Sequence, residues 1–316
     1  MEPITLGILG LVILVALIAI RIPIAYSMIL VGGVGIMIVN GPLLVMSQLK
    51  TLGWGVFSNY SLSVVPMFVL MGALASRAGL SQALFRAANA WLGWLRGGTA
   101  MAAIAGCAGF GAVCGSSLAT ASTMGKVALP ELKRYNYSGA LATGSLAAGG
   151  VLGILIPPSV VLIIYAIIVE ANIVTMFAAA MIPGILAVIL FILTIAIYVA
   201  IKPEAGPRGG AADRAEFVEA TVGVIPVMVI FGLVLGGIYG GFFNPTPAAA
   251  VGVALVWIYG AFKRRIKLPE LFDSLKETAG TTGMIYLIVL GAELMKIFMS
   301  RIGLPQATAE WVANSG

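Results

Sequence analysis

The chain has 316 residues, of which 60% are hydrophobic and only 9% are charged, and it contains no histidine. Soluble domains typically carry about 25% charged residues, so this composition excludes an ordinary soluble domain and predicts an all-α, polytopic membrane protein with no nucleic-acid partner. With no histidine and only two cysteines, Cys107 and Cys114, the chain offers neither a recognisable metal-binding motif nor a disulfide framework.

The N-terminal apolar run, Ile4–Ile20, is predicted to be the first membrane helix and not a cleaved signal peptide. Glu2 precedes the run and Arg21 follows it, whereas a signal peptide carries positive charge ahead of its apolar core. About 20 apolar residues are needed for a helix to cross a hydrocarbon core of about 30 Å. Further apolar segments are predicted, in chain order, at 24–40, 62–76, 99–114, 118–130, 139–169, 173–201, 221–239, 246–262 and 280–300.

The stretch LSQALFRAANAWLGWLR, at 80–96, differs because it mixes charged and aromatic residues with apolar ones. Arg86 and Arg96 occur here among leucines, Trp91 and Trp94, a composition typical of an amphipathic helix at the membrane surface. Membrane lipid is therefore an expected partner. An ordinary loop helix is the alternative.

Positive charges predict the orientation of the helices, because Lys and Arg prefer cytoplasmic loops. If 99–130 enters the membrane and returns as a re-entrant hairpin, every Lys and Arg falls on the cytoplasmic side except Lys50, Lys296 and Arg301. Two short full spans over the same residues would give the same orientation, so charge leaves both open. The return arm, 118–129, has about 12 residues and is too short to cross, which favours the hairpin.

Small and hydroxyl-bearing residues form the expected tip of this hairpin, which reads CGSSLATAST over 114–123. Non-helical backbone at membrane depth persists only where it is buried in protein or lines a wet cavity. Hydroxyl and free backbone groups there can coordinate a cation or bind a polar solute, although small residues also serve simple helix packing. The candidate site residues at the tip are Gly115, Ser116, Ser117 and Thr120.

A second candidate site is the stretch GILIPPSV, which begins at Gly153 inside a long apolar run. Proline has no N–H group and its ring crowds the carbonyl four residues earlier, so Pro157 and Pro158 should release the carbonyls of Gly153 and Ile154. Two prolines in tandem therefore predict an unwound helix, with Ser159 capping the outgoing half. A kink whose carbonyls are satisfied by neighbouring helices is the alternative.

Freed carbonyls are costly in lipid unless a partner satisfies them, and a bound Na⁺ is one such partner. The first N–H groups of the outgoing half-helix would face the same break and favour an anion. Discontinuous helices of this type form substrate and ion sites in secondary transporters. The predicted ligands of the ion are Ser116, Ser117, Gly153 and Ile154.

Two further groups of charged residues are interpreted as structural and not as parts of a binding site. Glu293 and Lys296 stand three residues apart on one helix face, and a local ion pair or snorkelling near the interface is favoured over an intramembrane pair on a transport path. The cluster KRRIK at 263–267 is predicted to anchor the topology, with anionic-lipid contact as a minor addition.

Five stretches together resemble the large membrane subunit (DctM-type) of tripartite ATP-independent periplasmic (TRAP) transporters. They are VPMFVLMGALASRAGL (65–80), GSSLATASTMG (115–125), GILIPPSVVLIIYA (153–166), MFAAAMIPGIL (176–186) and GIYGGFFNPTPAAAVG (237–252). The resemblance covers nearly the whole chain, and the motifs are more specific together than any one of them is alone.

The resemblance implies an elevator-type, sodium-driven transporter, a multi-pass protein of the bacterial inner membrane and not an enzyme. Such subunits work with a small four-helix membrane subunit and a periplasmic substrate-binding protein, which delivers an organic acid such as a C4-dicarboxylate or a sialic acid. By the same likeness, the serine tip and the proline break face each other and form a sodium site beside the substrate. Na⁺ is then the coupling ion, and no other cofactor is expected.

The sequence departs from the family pattern in two places. The usual Thr-Pro-Thr-Glu motif appears as Asn244-Pro245-Thr246-Pro247, without its acidic residue. The chain also ends at Gly316, before the second hairpin and second proline break that such subunits place in their last quarter. We therefore expect only the first half-site in this chain.

The predicted organisation has four segments. These are 1–97, with scaffold helices and the interfacial helix; 98–170, the first half-site, with hairpin 98–131 and broken helix 139–169; 171–264, connecting helices with a polar linker at 202–217; and 265–316, the incomplete start of a second repeat. A stand-alone sodium-coupled anion symporter and a non-transporting truncated subunit are the alternative functions. An intramembrane enzyme is disfavoured because both aspartates, Asp213 and Asp273, lie in polar linkers.

Overall fold

The computed structural model describes residues 3–210 and 212–314, and within these ranges the chain forms fourteen α-helices and no β-strand. In chain order they are α1 (Pro3–Ala19), α2 (Ile24–Asn40), α3 (Pro42–Phe57), α4 (Val64–Ala78), α5 (Leu80–Leu92), α6 (Gly98–Cys114), α7 (Ser117–Arg134), α8 (Gly139–Leu155), α9 (Val160–Ile168), α10 (Ile173–Ile201), α11 (Arg214–Tyr239), α12 (Pro245–Phe262), α13 (Leu268–Arg301) and α14 (Leu304–Asn314).

Helix length and composition confirm an all-α, polytopic membrane protein. In the described part of the chain, five helices are long and apolar enough to cross a membrane: α10, α11, α12, α13, and α4 together with the short turn that precedes it. A sixth span is present if α8 and α9 count as one, since only a short break with a bend of 43° separates them. The apolar helices α1, α2 and α6 are shorter.

The return arm of the hairpin is α7, which is longer than the predicted stretch 118–129. The predicted length of this arm is therefore wrong. α7 has 18 residues and continues through Pro130, because that proline removes only one N–H donor from the helix. Polar residues beyond it stay helical, and Glu131 and Arg134 form an ion pair of 3.5 Å. Since α7 is about 27 Å long, length no longer separates a re-entrant hairpin from two spans, and the re-entrant geometry stays a prediction.

The other predicted elements differ from the observed helices because polar residues next to the apolar runs, or within them, are also helical. The segments predicted to start at 221 and 280 begin earlier, as α11 and α13, with charged first turns. Asp213 caps α11, and its Oδ1 accepts a hydrogen bond from the N–H of Glu216 (2.8 Å). No element was predicted for α3 and α14, because their polar residues interrupt the apolar runs.

The chain divides into two compact units, of which the first comprises residues 1–62 and 280–316. Its described part packs α1, α2 and α3 with the second half of α13 around a core that includes Phe298. Glycines allow close approach: a Cβ on Gly35 would lie 2.5 Å from the Phe298 ring, and one on Gly32 would lie 2.9 Å from the backbone of Leu294. The four segments predicted from the sequence follow chain order, and their repeat boundaries stay a prediction.

The second unit comprises residues 63–279 and contains α4 to α12 with the start of α13. Phe68, Phe110 and Phe177 are fully buried in its interior. α6, α7 and α8 pack against one another, and α4 packs along α12. Lipid tails are as apolar as leucine, so close van der Waals contact must hold such helices together, and small residues permit it.

The polar linker between α10 and α11 is fixed to the base of the hairpin. The carbonyl of Gly206 accepts a hydrogen bond from the N–H of Gly97 (3.0 Å), just before α6. The carbonyl of Ala205 accepts one from the N–H of Ser138 (2.9 Å), just before α8. The linker therefore connects the entry of the hairpin to the start of the broken helix.

α5 forms the predicted amphipathic helix, but it ends at Leu92 and not at residue 96, and it packs on α6 and α11. Leu80 and Phe85 are buried on its inner face, whereas Trp91 and, just after the helix, Trp94 are more than half exposed. The indole N–H of Trp91 donates a hydrogen bond to Oγ1 of Thr221 (3.1 Å). Exposed tryptophans are typical of the membrane interface. The location of this helix at that interface stays a prediction.

Candidate functional site

The hairpin between α6 and α7 turns at Gly115 and Ser116. Gly115 has φ +63°, a left-handed conformation that favours glycine, and its N–H donates to the carbonyl of Gly111 (2.7 Å). Ser116 is the N-cap of α7, since its Oγ accepts a hydrogen bond from the N–H of Ala119 (3.4 Å). The tip therefore ends one helix and starts the next without a loop between them.

The helix over 139–169 is broken at the tandem prolines, as their chemistry predicts. α8 ends before Pro157 and Pro158, which are joined by a cis peptide bond, and α9 begins after them. Neither proline can donate to the carbonyl four residues earlier. Within the described residues, no backbone N–H donates to the carbonyls of Gly153 and Ile154.

Ser159 starts the second half of the broken helix. Its side chain is fully buried, and its Oγ accepts a hydrogen bond from the N–H of Leu162 (3.4 Å). The predicted capping role of Ser159 is thus present in the structure, and the first turn of α9 points its remaining N–H groups towards the break.

The hairpin tip and the proline break touch each other. The carbonyl of Gly115 accepts a hydrogen bond from the N–H of Val160 (3.2 Å), which joins the tip directly to the start of α9. A Cβ on Gly153 would lie 2.7 Å from Oγ1 of Thr120 and 2.8 Å from the carbonyl oxygen of Ser116. Only glycine at position 153 allows α8 to come this close to the tip.

Hydroxyl groups of the tip are partly engaged within the hairpin. Thr120 is fully buried, and its hydroxyl donates to the carbonyl of Ser116 (2.7 Å). The Sγ of Cys114 lies 3.1 Å from the same hydroxyl, so this cysteine belongs to the site as well as to the packing. Ser117 is half-buried, and its carbonyl faces Gly150 of α8.

Four helix ends meet at this contact and make it electrostatically two-sided. The carbonyl ends of α6 and α8 carry partial negative charge, and the N–H ends of α7 and α9 carry partial positive charge, each of about half an elementary charge. The first pair suits a cation and the second an anion. No group of three or more His, Cys, Asp or Glu side chains lies together in the described ranges, so backbone and hydroxyl oxygens would have to hold an ion here.

Residues 11–316 match the family described as tripartite ATP-independent periplasmic transporter, DctM component. The chain belongs to this family.

Named relatives of this TRAP chain are transporter permeases. The C4-dicarboxylate TRAP transporter large permease protein DctM of Pseudomonas aeruginosa is 34% identical, over 82% of this chain and 60% of its own length. The protein of the same name from Vibrio cholerae is 32% identical, over 82% of this chain and 61% of its own length. The sialic acid TRAP transporter large permease protein SiaM of Vibrio cholerae is 29% identical, over 92% of this chain and 67% of its own length.

This TRAP chain spans about 60% of the length of its C4-dicarboxylate relatives. Family membership and the apolar helices together identify it as a multi-pass protein of the bacterial inner membrane. The relatives carry the names of permeases and not of enzymes.

Glycines that bring the TRAP chain's helices together at the site were not predicted from the sequence. A Cβ on Gly111 would lie 2.6 Å from Cα of Gly153, and one on Gly72 of α4 would lie 2.5 Å from Cβ of Cys114. Gly184 of α10 faces the last carbonyl of α8, which would lie 3.3 Å from its Cβ. Repeated small residues on these helices are the signal that could have revealed these contacts.

A cavity of about 290 Å³ lies away from the tip and the break, between α6, α8 and α10. Leu141, Phe191 and Ile195 give it mainly apolar walls, with Ser145 and Tyr198 among the lining residues. Because none of the predicted site residues lines it, this cavity is not part of the candidate site.

Proposed function

We propose that this chain is a membrane subunit of a TRAP transporter that imports an organic acid by Na⁺ symport. Membership of the family, with relatives named as permeases for C4-dicarboxylates and sialic acid, supports transport as the activity. The observation that carries the sodium step is the contact between tip and break, where the carbonyls of Gly153 and Ile154 have no N–H donor among the described residues.

Oxygen atoms from both sides of the contact hold the ion in this proposal. Gly153 and Ile154 contribute carbonyls from the break, and Ser116 and Ser117 contribute oxygens from the tip. The carbonyl of Ser116 already accepts two hydrogen bonds from Thr120 (3.0 and 2.7 Å), whereas its Oγ accepts one long bond and keeps a free lone pair. Sodium offsets the cost of burying carbonyls that have no donor.

An acid group of the substrate binds beside the ion, at the N-terminal ends of α7 and α9. Neither Lys nor Arg occurs in the tip (114–123) or the break (153–160), so recognition rests on N–H groups, hydroxyls and the bound cation. A C4-dicarboxylate or a sialic-acid-like anion fits the names of several relatives. Others are named for isethionate and ectoine, so the substrate class is an organic acid and no single compound follows.

The proposed partners are a small four-helix membrane subunit and a periplasmic substrate-binding protein, as the family resemblance implies. Sodium-driven uptake into proteoliposomes, measured with and without the binding protein, tests this part of the proposal. Uptake only in its presence is expected. Uptake without it would favour a stand-alone symporter, and no uptake with every partner present would favour a non-transporting subunit.

The sodium site is tested by a matched pair of substitutions in α8. Gly153→Ala places a methyl group against Thr120 and the Ser116 carbonyl, whereas Gly144→Ala meets no atom within 4 Å. Sodium at about a hundred times its dissociation constant should stabilise the folded chain by about 2.7 kcal/mol. We expect this stabilisation in the unchanged chain and in Gly144→Ala, and its loss in Gly153→Ala.

Thermal unfolding of the purified chain in NaCl, compared with choline chloride at equal ionic strength, provides the measurement. Folding of both variants is checked first by gel filtration in detergent. Equal sodium stabilisation of the Gly153→Ala and Gly144→Ala chains would show that sodium does not bind at the contact between tip and break. No sodium-specific effect in the unchanged chain would show that the chain has no sodium site.

A further inference from the structure

α13 is too long to lie entirely within a membrane. Its 34 residues span about 51 Å, whereas the hydrocarbon core is about 30 Å thick and takes about 20 residues. Charges are concentrated at its N-terminal end, which includes Glu270, Asp273, Lys276 and Glu277. The first turns of α13 therefore belong to the headgroup region, together with the KRRIK cluster that follows α12. Residues 262–276 are called the basic segment below.

Three acidic groups of the first turns have partners within this unit. Asp273 and Glu277 stand one helical turn apart, and both approach Arg77 of α4, at 3.8 and 3.5 Å. The carboxylate of Glu270 accepts a hydrogen bond from the N–H of Lys267 (2.9 Å). Ser274, on the same helix, is fully buried. Asp273, Glu277 and Glu270 are therefore already paired, although the first two remain exposed.

An apolar stripe occupies a different side of the same turns. Leu268, Phe272 and Leu275 are spaced as positions i, i+4 and i+7, so they share one helix face. They are 70%, 67% and 43% exposed, and Phe262 at the end of α12 is 85% exposed. No described part of the chain covers this stripe.

Four basic side chains of the basic segment have no acidic partner. Lys263, Arg264, Lys267 and Lys276 are exposed, and none forms an ion pair with a carboxylate in the described ranges. Arg265 is different, because its guanidinium donates to the side chain of Gln82 (3.2 Å). An apolar stripe and free cations within one short segment match a lipid surface that carries negative charge.

We propose that the basic segment binds anionic phospholipid headgroups of the cytoplasmic leaflet. Phe262, Leu268 and Phe272 insert among the upper acyl-chain carbons, and the four free cations contact the phosphates. The cytoplasmic leaflet follows from the positive-inside preference of Lys and Arg. A cluster of this size next to a membrane helix is attracted to anionic lipid by charge, and the attraction weakens with salt.

Lipid titration of the purified chain tests this proposal. The chain is titrated in neutral detergent with phosphatidylglycerol or phosphatidylcholine, and bound lipid is counted by native mass spectrometry. We expect the anionic lipid to bind at least about tenfold more tightly than the neutral one, and high salt to reduce this preference. The combined variant Lys263→Gln, Arg264→Gln, Lys267→Gln and Lys276→Gln should lose the preference.

A control variant removes the same number of charges elsewhere in this unit. It combines Lys126→Gln, Lys133→Gln, Arg208→Gln and Arg214→Gln, and it should keep the preference for phosphatidylglycerol. The proposal is overturned if the basic-segment variant keeps the preference, as expected if another protein segment covers this face, or if the control variant loses it equally.

A second measurement addresses the apolar stripe. Leu268→Ser combined with Phe272→Ser changes only exposed side chains, so folding should be unaffected. We expect at least about a fivefold loss of affinity for both lipids, since the inserted area is removed while the charges remain. Unchanged binding of both lipids would show that the stripe does not insert and would overturn that part of the proposal.

Discussion

At the scale of single residues, serine caps combine two roles that can be separated. Ser116 and Ser138 both cap a helix, and their Oγ atoms accept hydrogen bonds from the N–H groups of Ala119 (3.4 Å) and Leu141 (3.3 Å). Ser116 stands at the contact between tip and break, whereas Ser138 stands at the opposite end of α8. The two serines therefore make the same kind of helix cap, but only Ser116 lies at the candidate site.

Ser116→Ala and Ser138→Ala are predicted to cost similar stability, about 1 kcal/mol each, because each removes one helix cap. Only Ser116→Ala should also weaken sodium-dependent stabilisation, since only its Oγ is proposed to contact the ion. Thermal unfolding with and without NaCl compares the two. If both variants keep the full sodium effect, Ser116 is a cap and nothing more.

The tip and break residues were identified from the sequence, and the family resemblance implied that they face each other, but the contacts that join them were not predicted. Side-chain chemistry indicated Gly115, Ser116 and Gly153 as special positions. The bond from the Val160 N–H to the Gly115 carbonyl and the close approach at Gly153 depend on three-dimensional packing. Cys114 was not among the predicted site residues, because a single cysteine in an apolar run has no distinguishing pattern.

At the scale of helices, prolines have different effects in different places. Pro130 and Pro226 lie inside α7 and α11, which continue past them. Pro157 and Pro158 end α8, because two consecutive residues lack N–H groups and a helix cannot bridge both. Proline chemistry is local, which is why the break could be predicted from sequence. The length of α7 could not, since polar residues beyond an apolar run can be helical or not.

Pro157→Ala with Pro158→Ala is predicted to repair the broken helix and to remove the sodium effect. The new N–H groups can donate to the carbonyls of Gly153 and Ile154, and each hydrogen bond contributes about 1 kcal/mol. Without sodium, the variant is expected to be at least as stable as the unchanged chain. Adding sodium should stabilise the variant little further.

Thermal unfolding and helix content by circular dichroism measure both effects. Pro226→Ala is the matched control, because it restores an N–H group within a helix that is already continuous. A full sodium response after removal of both prolines would mean that the freed carbonyls do not bind the ion.

At the scale of the whole molecule, orientation is predicted from the distribution of positive charge. Lys50 lies on α3, which is not long or apolar enough to count as a span, so the predicted order of crossings is unaffected by that helix. Lys133 lies in the last turn of α7, and Lys202 is the first residue of the polar linker. The positive-inside preference places the last two residues in the cytoplasm and Lys50 outside.

Cysteine labelling in intact cells checks this orientation. Lys50→Cys, Lys133→Cys and Lys202→Cys are introduced singly after Cys107→Ala and Cys114→Ala have removed the native thiols. A membrane-impermeant maleimide should label position 50 in intact cells, and positions 133 and 202 only after permeabilisation. All three replaced side chains are exposed in the structure. Labelling of position 133 in intact cells would show that this end of the hairpin faces the outside, which contradicts the predicted orientation.

The sequence by itself determined the membrane class, the broken helix, the serine-bearing turn and the family, because composition, proline chemistry and motif order are properties of neighbouring residues. The tertiary structure alone decided which atoms join the tip to the break, that Gly153 allows this approach, that the linker holds the hairpin base, and that Arg77 pairs with Asp273 and Glu277 of α13. These contacts join residues far apart in the chain, and their formation depends on how closely helix surfaces fit, which no local pattern specifies.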